Sequence, residues 1–283
     1  MPAANLVPPS GASLAQLQGL IVLVGGGKMG GALLQGWLRL GLDPARVVVL
    51  DPEPSGTVAQ FVQNGVRINP DTGTLGPAST LILAVKPQVA GSVLPGLKAL
   101  AGPQTLVLSI MAGKTLAFLD AGLPGAAAVR AMPNTPAAIG RGITVAVANS
   151  HTSPAQRDAA ERLLGAVGAV EWVDDEGLLD AVTAVSGSGP AYVFLLAESL
   201  ARAGVAAGLP AALAAKLARL TVSGSGELLH QSGLEPAQLR ANVTSPAGTT
   251  AAALSVLMAD PGLHGLIEQA VGAATRRSRE LGS

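Results

Sequence analysis

For most of its first two thirds the chain alternates short apolar runs with amphipathic stretches. Leu20 to Val24, Val47 to Leu50, Leu81 to Val85 and Leu106 to Ile110 are aliphatic, often β-branched runs. Short uninterrupted runs of this kind predict strands buried on both faces, as in a parallel sheet. Ala127 to Ala131, Ile143 to Ala148 and Ala169 to Val173 extend the series, with a shorter strand near Val66 to Ile68. Helical spacing of apolar positions runs from Lys28 to Leu40, where Gly41 is placed to end it. It recurs around Val58 to Asn64, after Pro87 and from Pro154 to Val167. Strands alternating with helices predict a doubly wound α/β domain over residues 20–173. From Asp174 onward no strand is expected. Helical segments at 176–186, 190–207, 210–231, 247–259 and 262–281 make residues 174–283 an all-helical unit. The Pro-, Ser-, Gly- and Ala-rich residues 1–19 read as a flexible tail.

Composition narrows the classes. Apolar residues make up 49% of the chain but aromatics only 2%, so the core must be built from small and branched aliphatics. Acidic and basic residues are equal in number and no basic stripe is visible, which argues against a nucleic-acid partner. Without cysteine there is no disulfide, thiolate metal site or thiol nucleophile. His151, His230 and His264 lie far apart with no metal-ligand spacing, so no metal is expected. The apolar stretch Ala191 to Leu209 carries Glu198 and Arg202, against a bilayer span. The N-terminus has neither a basic region nor a long apolar run, so no signal peptide is expected. The expectation is a soluble, cytoplasmic protein. Ala201 to Leu220 is alanine-rich and charged only at Arg202, Lys216 and Arg219. So little polar surface predicts burial against a second copy, giving a homodimer or larger assembly.

The sharpest local signal is Gly25-Gly26-Gly27-Lys28-Met29-Gly30, directly after a predicted strand and directly before a predicted helix. That context makes a GxGxxG string informative, where the string alone is weak. Gly25 allows the tight turn, Gly27 lets a pyrophosphate approach the backbone, and Gly30 lets the helix pack close to the strand. The first N–H groups of that helix favour an anion. These are the features of a Rossmann-type dinucleotide site. Asp51 follows about twenty residues beyond Gly30, where a carboxylate hydrogen-bonds the adenosine ribose. It would repel a 2′-phosphate, and no Arg or Lys falls between Asp51 and Arg67 to offset it. Asp51 therefore leans toward NADH over NADPH. The alternative is that it only caps the turn at Pro52.

Four further strings follow in order: Ala84-Val85-Lys86-Pro87, Arg130-Ala131-Met132-Pro133-Asn134-Thr135-Pro136, Val185-Ser186-Gly187-Ser188-Gly189-Pro190-Ala191-Tyr192, and Thr244-Ser245-Pro246-Ala247-Gly248-Thr249-Thr250. Together with the glycine turn they closely resemble the pyrroline-5-carboxylate reductase family, from about Leu20 to the C-terminus. The resemblance implies NAD(P)H-dependent reduction of L-1-pyrroline-5-carboxylate to L-proline, the last step of proline biosynthesis. It also implies a Rossmann domain followed by a helical dimerisation domain, often assembled into a ring of dimers. Carried over by position, Lys28, Met29, Ala84, Val85, Lys86 and Pro87 contact the dinucleotide. Ile110, Met111 and Ala112 lie beside the nicotinamide, with Met111 in place of the family's small residue, and Asn134 and Thr135 belong to the loop at that end. Glu176, Asn242, Gly248, Thr249 and Thr250 surround the substrate. The family most often prefers NADPH and has a small polar residue where Asp51 stands, which puts that preference in doubt here.

The chemistry agrees with these placements. The substrate is a small anion with a cyclic imine. Ser245 to Thr250 reads as a turn running into a helix N-terminus, whose N–H groups can bind a carboxylate. Thr250 can hydrogen-bond the ring nitrogen as hydride reaches the adjacent carbon, a role that a bound water could also fill. Ser186 to Pro190 reads chiefly as a helix break, with Pro190 suited to the first turn of a new helix. Two alternatives stand. A β-hydroxyacid dehydrogenase or imine reductase of similar build would need a catalytic lysine, and Lys216 lacks an asparagine one turn on. A non-catalytic dinucleotide sensor would have no use for the cluster from Asn242 to Thr250.

Overall fold

The computed structural model describes residues 13–54 and 56–282. Its strands are β1 (Ile21–Val24), β2 (Val47–Leu50), β3 (Arg67–Ile68), β4 (Thr80–Leu83), β5 (Leu106–Ser109), β6 (Ala127–Met132), β7 (Gly142–Ala148) and β8 (Gly168–Trp172). Its helices are α1 (Lys28–Arg39), α2 (Gly56–Ala59), α3 (Ala90–Leu97), α4 (Leu116–Gly122), α5 (Pro154–Gly165), α6 (Leu178–Val182), α7 (Gly189–Ala206), α8 (Ala211–Gln231), α9 (Pro236–Asn242), α10 (Thr249–Leu257) and α11 (Leu263–Gly282). The strands form one sheet in the order β3, β2, β1, β4, β5, β6, β7, β8. All pairings are parallel except β6 with β7. This is the doubly wound α/β architecture expected, with one antiparallel step near its far edge.

Alternation along the strands explains why their runs are continuously apolar. Ile21, Leu23, Val47, Val49, Ile82, Leu106 and Leu108 enter one core cluster, with Trp37 of α1 and Leu163 and Leu164 of α5. Val22, Val24, Val48, Leu81, Leu83 and Val107 enter another, with Leu94 of α3 and Leu119 of α4. The central strands β1, β2, β4 and β5 therefore have buried side chains on both faces, as helical layers on either side require. The Trp37 indole N–H donates to the Leu163 carbonyl oxygen at 2.8 Å inside the first layer.

The chain divides into two compact units. The first runs to Gly187 and takes up the chain again from Thr275; the second is Ser188–Ala274. Of the tail expected over 1–19, residues 1–12 lie outside the described residues. Its last part belongs to the fold instead. Leu14 is fully buried in the core, and its N–H donates to the Leu40 carbonyl oxygen at 3.1 Å. The expected helix from 176 is a short α6 followed by a π-helical turn, Thr183–Gly187, and α7 begins with Pro190 in its first turn. Two helices were not expected, α4 and α9.

In the second unit α7 packs on α8, where the Gly204 backbone approaches Ala214. α7 and α10 bury no residue, and α8 buries only Ala214 and Ala218. Phe194, Leu195, Leu220 and Val256 are all exposed. Among the described residues the helical run Leu178–Ala206 is long and apolar enough to cross a membrane.

Trp37→Phe removes the indole donor and leaves the Leu163 carbonyl unpaired in the core. It is expected to lower the stability of the first unit by about 2 kcal/mol, measured by urea unfolding.

Candidate functional site

The carboxyl ends of β1, β4, β5 and β6 share one edge, because these strands run parallel in register. Ligands of open α/β sheets bind at such an edge. β1 ends at Gly25, which sits at φ 101° with its N–H on the Leu50 carbonyl oxygen at 2.9 Å. A Cβ there would meet the Ala84 oxygen at 2.6 Å, so the turn lies directly against the segment after β4. A Cβ on Gly30 would collide with the Gly25 carbonyl oxygen. Only hydrogen at both positions lets α1 start this close to β1. Gly27, the N-cap of α1, is exposed and has nothing within 4 Å of where its Cβ would stand. The turn is thus closed against the protein at Gly25 and Gly30 and open to the outside at Gly27. No side chain caps the helix. Uncapped N–H groups beside open space fit a pyrophosphate.

Asp51 follows β2 and reaches the same turn. Its Oδ2 accepts the Gly26 N–H at 2.5 Å and its Oδ1 accepts the Glu53 N–H at 2.9 Å. The carboxylate is thereby fixed beside the glycine turn, and it also closes its own loop past Pro52, which is the capping role considered for it.

Along the edge, Ala84 is tied to β1 by its N–H on the Val24 oxygen at 2.8 Å, and Val85 follows. Lys86 is exposed, and Pro87 opens a 3₁₀ turn. Lys28 is exposed at the start of α1, whereas Met29 packs partly against the core. Ala112 is half-buried after Met111. Asn134 stands just before the 3₁₀ turn Thr135–Ile139 without capping it; its Oδ1 instead accepts the Ile143 N–H at 3.0 Å, which fixes the loop between β6 and β7. Met111, which follows β5, is buried. Its side chain is 3% exposed and belongs to the second core cluster, so what it offers a ligand is backbone.

Glu176 also has a local task. Its Oε1 accepts from Arg130 Nη1 at 2.7 Å and from the Leu116 N–H at 2.8 Å. The pair ties β6 to the start of α4 and to the turn after β8. Arg130 is 6% exposed, and a charge so buried needs such a partner. Arg130 was not singled out as a site residue, although a lone arginine inside the apolar strand AAVRAM was a visible signal.

Asn242, Ser245, Gly248, Thr249 and Thr250 belong to the second unit. Asn242 ends α9, and its Oδ1 accepts from Gln238 Nε2 at 2.8 Å. Ser245 to Gly248 form a turn, with the Gly248 N–H on the Ser245 oxygen at 3.1 Å and Ala247 at φ 57°. Gly248 is the N-cap of α10, without a side-chain cap, and Thr249 and Thr250 are its first two residues. The turn into a helix N-terminus is as expected. A left-handed alanine beside uncapped N–H groups is the kind of local strain that functional turns retain.

Residues 176–281 match the family described as pyrroline-5-carboxylate reductase dimerisation, and residues 20–113 match NADP oxidoreductase, coenzyme F420-dependent. The pyrroline-5-carboxylate reductase of Synechocystis sp. is 46% identical over 264 residues, 92% of this chain and 97% of that protein. The enzyme of Pseudomonas aeruginosa is 41% identical over 92% of this chain and 96% of its own. Among solved structures, a pyrroline-5-carboxylate reductase from Coxiella burnetii superposes with TM-score 0.86 at 34% identity, covering 94% of this chain and all of that one. The chain belongs to the pyrroline-5-carboxylate reductase family.

Membership places the exposed helices. The whole run Leu178–Ala206 lies within the matched dimerisation segment, so its apolar surface has a reason other than a bilayer. Lys216, the lysine required by the dehydrogenase alternative, is simply an exposed residue of α8.

The glycines separate fold from ligand. Gly30→Ala is expected to destabilise the first unit by more than about 2 kcal/mol, since backbone must move. Gly27→Ala is expected to leave the melting temperature unchanged yet weaken dinucleotide binding about tenfold or more, as a methyl group fills the open approach. Thermal melts and equilibrium titration check both.

Proposed function

We propose that this chain reduces L-1-pyrroline-5-carboxylate to L-proline with NAD(P)H. The observation that carries the reading is family membership along nearly the whole chain, combined with a glycine turn open only at Gly27. A pyrroline carboxylate reductase of Plasmodium falciparum, 29% identical with TM-score 0.79, was solved with NADP bound. Here Gly25, Gly27, Lys28, Met29, Gly30 and Asp51 would hold the adenosine and pyrophosphate. Ala84 to Pro87, the backbone of Met111 and Ala112, and Asn134 would take the rest. Bound there, the nicotinamide supplies the hydride that the imine carbon accepts.

The protein's own contribution is orientation and charge. The first N–H groups of α10, uncapped by any side chain, bind the substrate carboxylate with Ser245, Gly248 and Thr249 shaping the turn. Thr250, one residue inside the helix, hydrogen-bonds the ring nitrogen and holds the proton, or the water delivering it, at that atom as C=N becomes C–N. The resemblance that implies Glu176 and Asn242 as substrate-binding residues includes both in this reading. No strong base is required, because a protonated imine is already the better acceptor. The exposed apolar surface of α7, α8 and α10 is covered by a second copy, giving a homodimer or a ring of dimers in the cytoplasm. Asp51 favours NADH over NADPH, against the family's habit.

Purified protein is expected to oxidise NADH or NADPH only when pyrroline-5-carboxylate is present, with the lower Michaelis constant for NADH. A tenfold preference for NADPH, about 1.4 kcal/mol, would place the 2′-phosphate on other groups. Thr250→Ala should lower kcat while leaving cofactor affinity near its starting value; unchanged kcat removes Thr250 from the reaction.

A further inference from the structure

Asp51 is gripped by its backbone as well as by its carboxylate, and one side chain does the gripping. The Oδ1 of Asn69 accepts the Asp51 N–H at 2.9 Å, and its Nδ2 donates to the Asp51 carbonyl oxygen at 2.7 Å. Asparagine in a turn ordinarily bonds backbone two or three residues away. This one reaches 18 residues back, to the end of the neighbouring strand. Asn69 follows β3, and its own N–H donates to the Val49 oxygen at 2.9 Å, which extends the β2–β3 pairing by one step. It sits at φ 48°, a region asparagine tolerates better than most residues. β3 is only two residues long, so this side chain supplies much of what joins the two strand ends.

The position of that clamp matters. Beyond Leu50 the ladder stops, and the chain bends through Pro52 and Glu53. The Asp51 peptide groups are satisfied by Asn69 instead. With them fixed, the carboxylate stays on the Gly26 N–H. Without them, the peptide can turn and carry the carboxylate away from the glycine turn.

We infer that Asn69 is a positioning residue that sets dinucleotide selectivity: by clamping the Asp51 backbone it fixes where a carboxylate faces the adenosine ribose. This rests on the reading of Asp51 as the ribose carboxylate. A fixed carboxylate accepts from two ribose hydroxyls and repels a 2′-phosphate; a loosened one does both less well.

The test is calorimetric titration of the full-length protein with NADH and with NADPH, on wild type, Asn69→Gly, Asn69→Ser and Asp51→Ser. Asn69→Gly keeps the left-handed conformation open and leaves the charge unchanged; Asn69→Ser is the second removal of the two-pronged amide should the first fold poorly. Both are expected to raise the Kd for NADH about fivefold and to lower the ratio of NADPH to NADH Kd by a similar factor. A purely structural role would weaken both dinucleotides equally, and an unchanged ratio in both Asn69 variants overturns the inference. If Asp51→Ser shifts the ratio while neither Asn69 variant does, only the role of Asn69 fails. If Asp51→Ser leaves the ratio unchanged, the reading of Asp51 fails and the inference falls with it. In the Asp51→Ser background, Asn69→Gly is expected to produce no further shift; an additive one would mean that Asn69 acts independently, and would also overturn it.

Discussion

The N-terminus of α1 abuts the end of β1 so closely that the Gly25 carbonyl occupies the space a side chain at Gly30 would need. That contact sets the geometry of the whole edge. It brings the first N–H groups of α1 to the carboxyl end of the sheet and lays the Gly25 turn against Ala84. It also leaves Gly26 where the Asp51 carboxylate can reach its N–H. Further along α1, Trp37 and Leu163 join the same helix to α5. One helix, placed by the absence of two β-carbons, therefore connects the anion-binding end of the domain to its core.

The strands were legible because burial on both faces leaves an unbroken aliphatic run, and the glycine turn because its spacing reflects steric need. Elements whose register depends on tertiary contact were not. α4 is a short helix of seven residues held by the Thr115 cap and by Glu176 on the Leu116 N–H. α9 is equally short and carries little apolar periodicity of its own. Leu14 looked like part of a loose tail because nothing nearby in sequence announces that a core lies beneath it.

Side-chain roles followed the same divide. Residue type and position were enough to locate Gly25, Gly30, Asp51 and the turn into α10. They could not reveal that Met111 turns its side chain into the core, or that Glu176 is already engaged by Arg130. Asn69 is the clearest case. Its sequence neighbourhood, Arg67-Ile68-Asn69-Pro70, reads as an ordinary strand end, and only the pairing of β3 with β2 brings it to Asp51.

Residues from Thr275 onward return to the first unit after the whole of Ser188–Ala274 has intervened. There the Ser278 hydroxyl donates to Asp180 at 2.6 Å, and Leu281 lies against Gly113, just past the end of β5. During synthesis this domain cannot be finished before the next one begins, because its closing helical segment follows the whole of Ser188–Ala274 in sequence. A nascent chain carrying everything up to Gly187 would hold a complete sheet and an uncovered patch beside β5. That patch is closed only when the residues from Thr275 onward come back to the first unit.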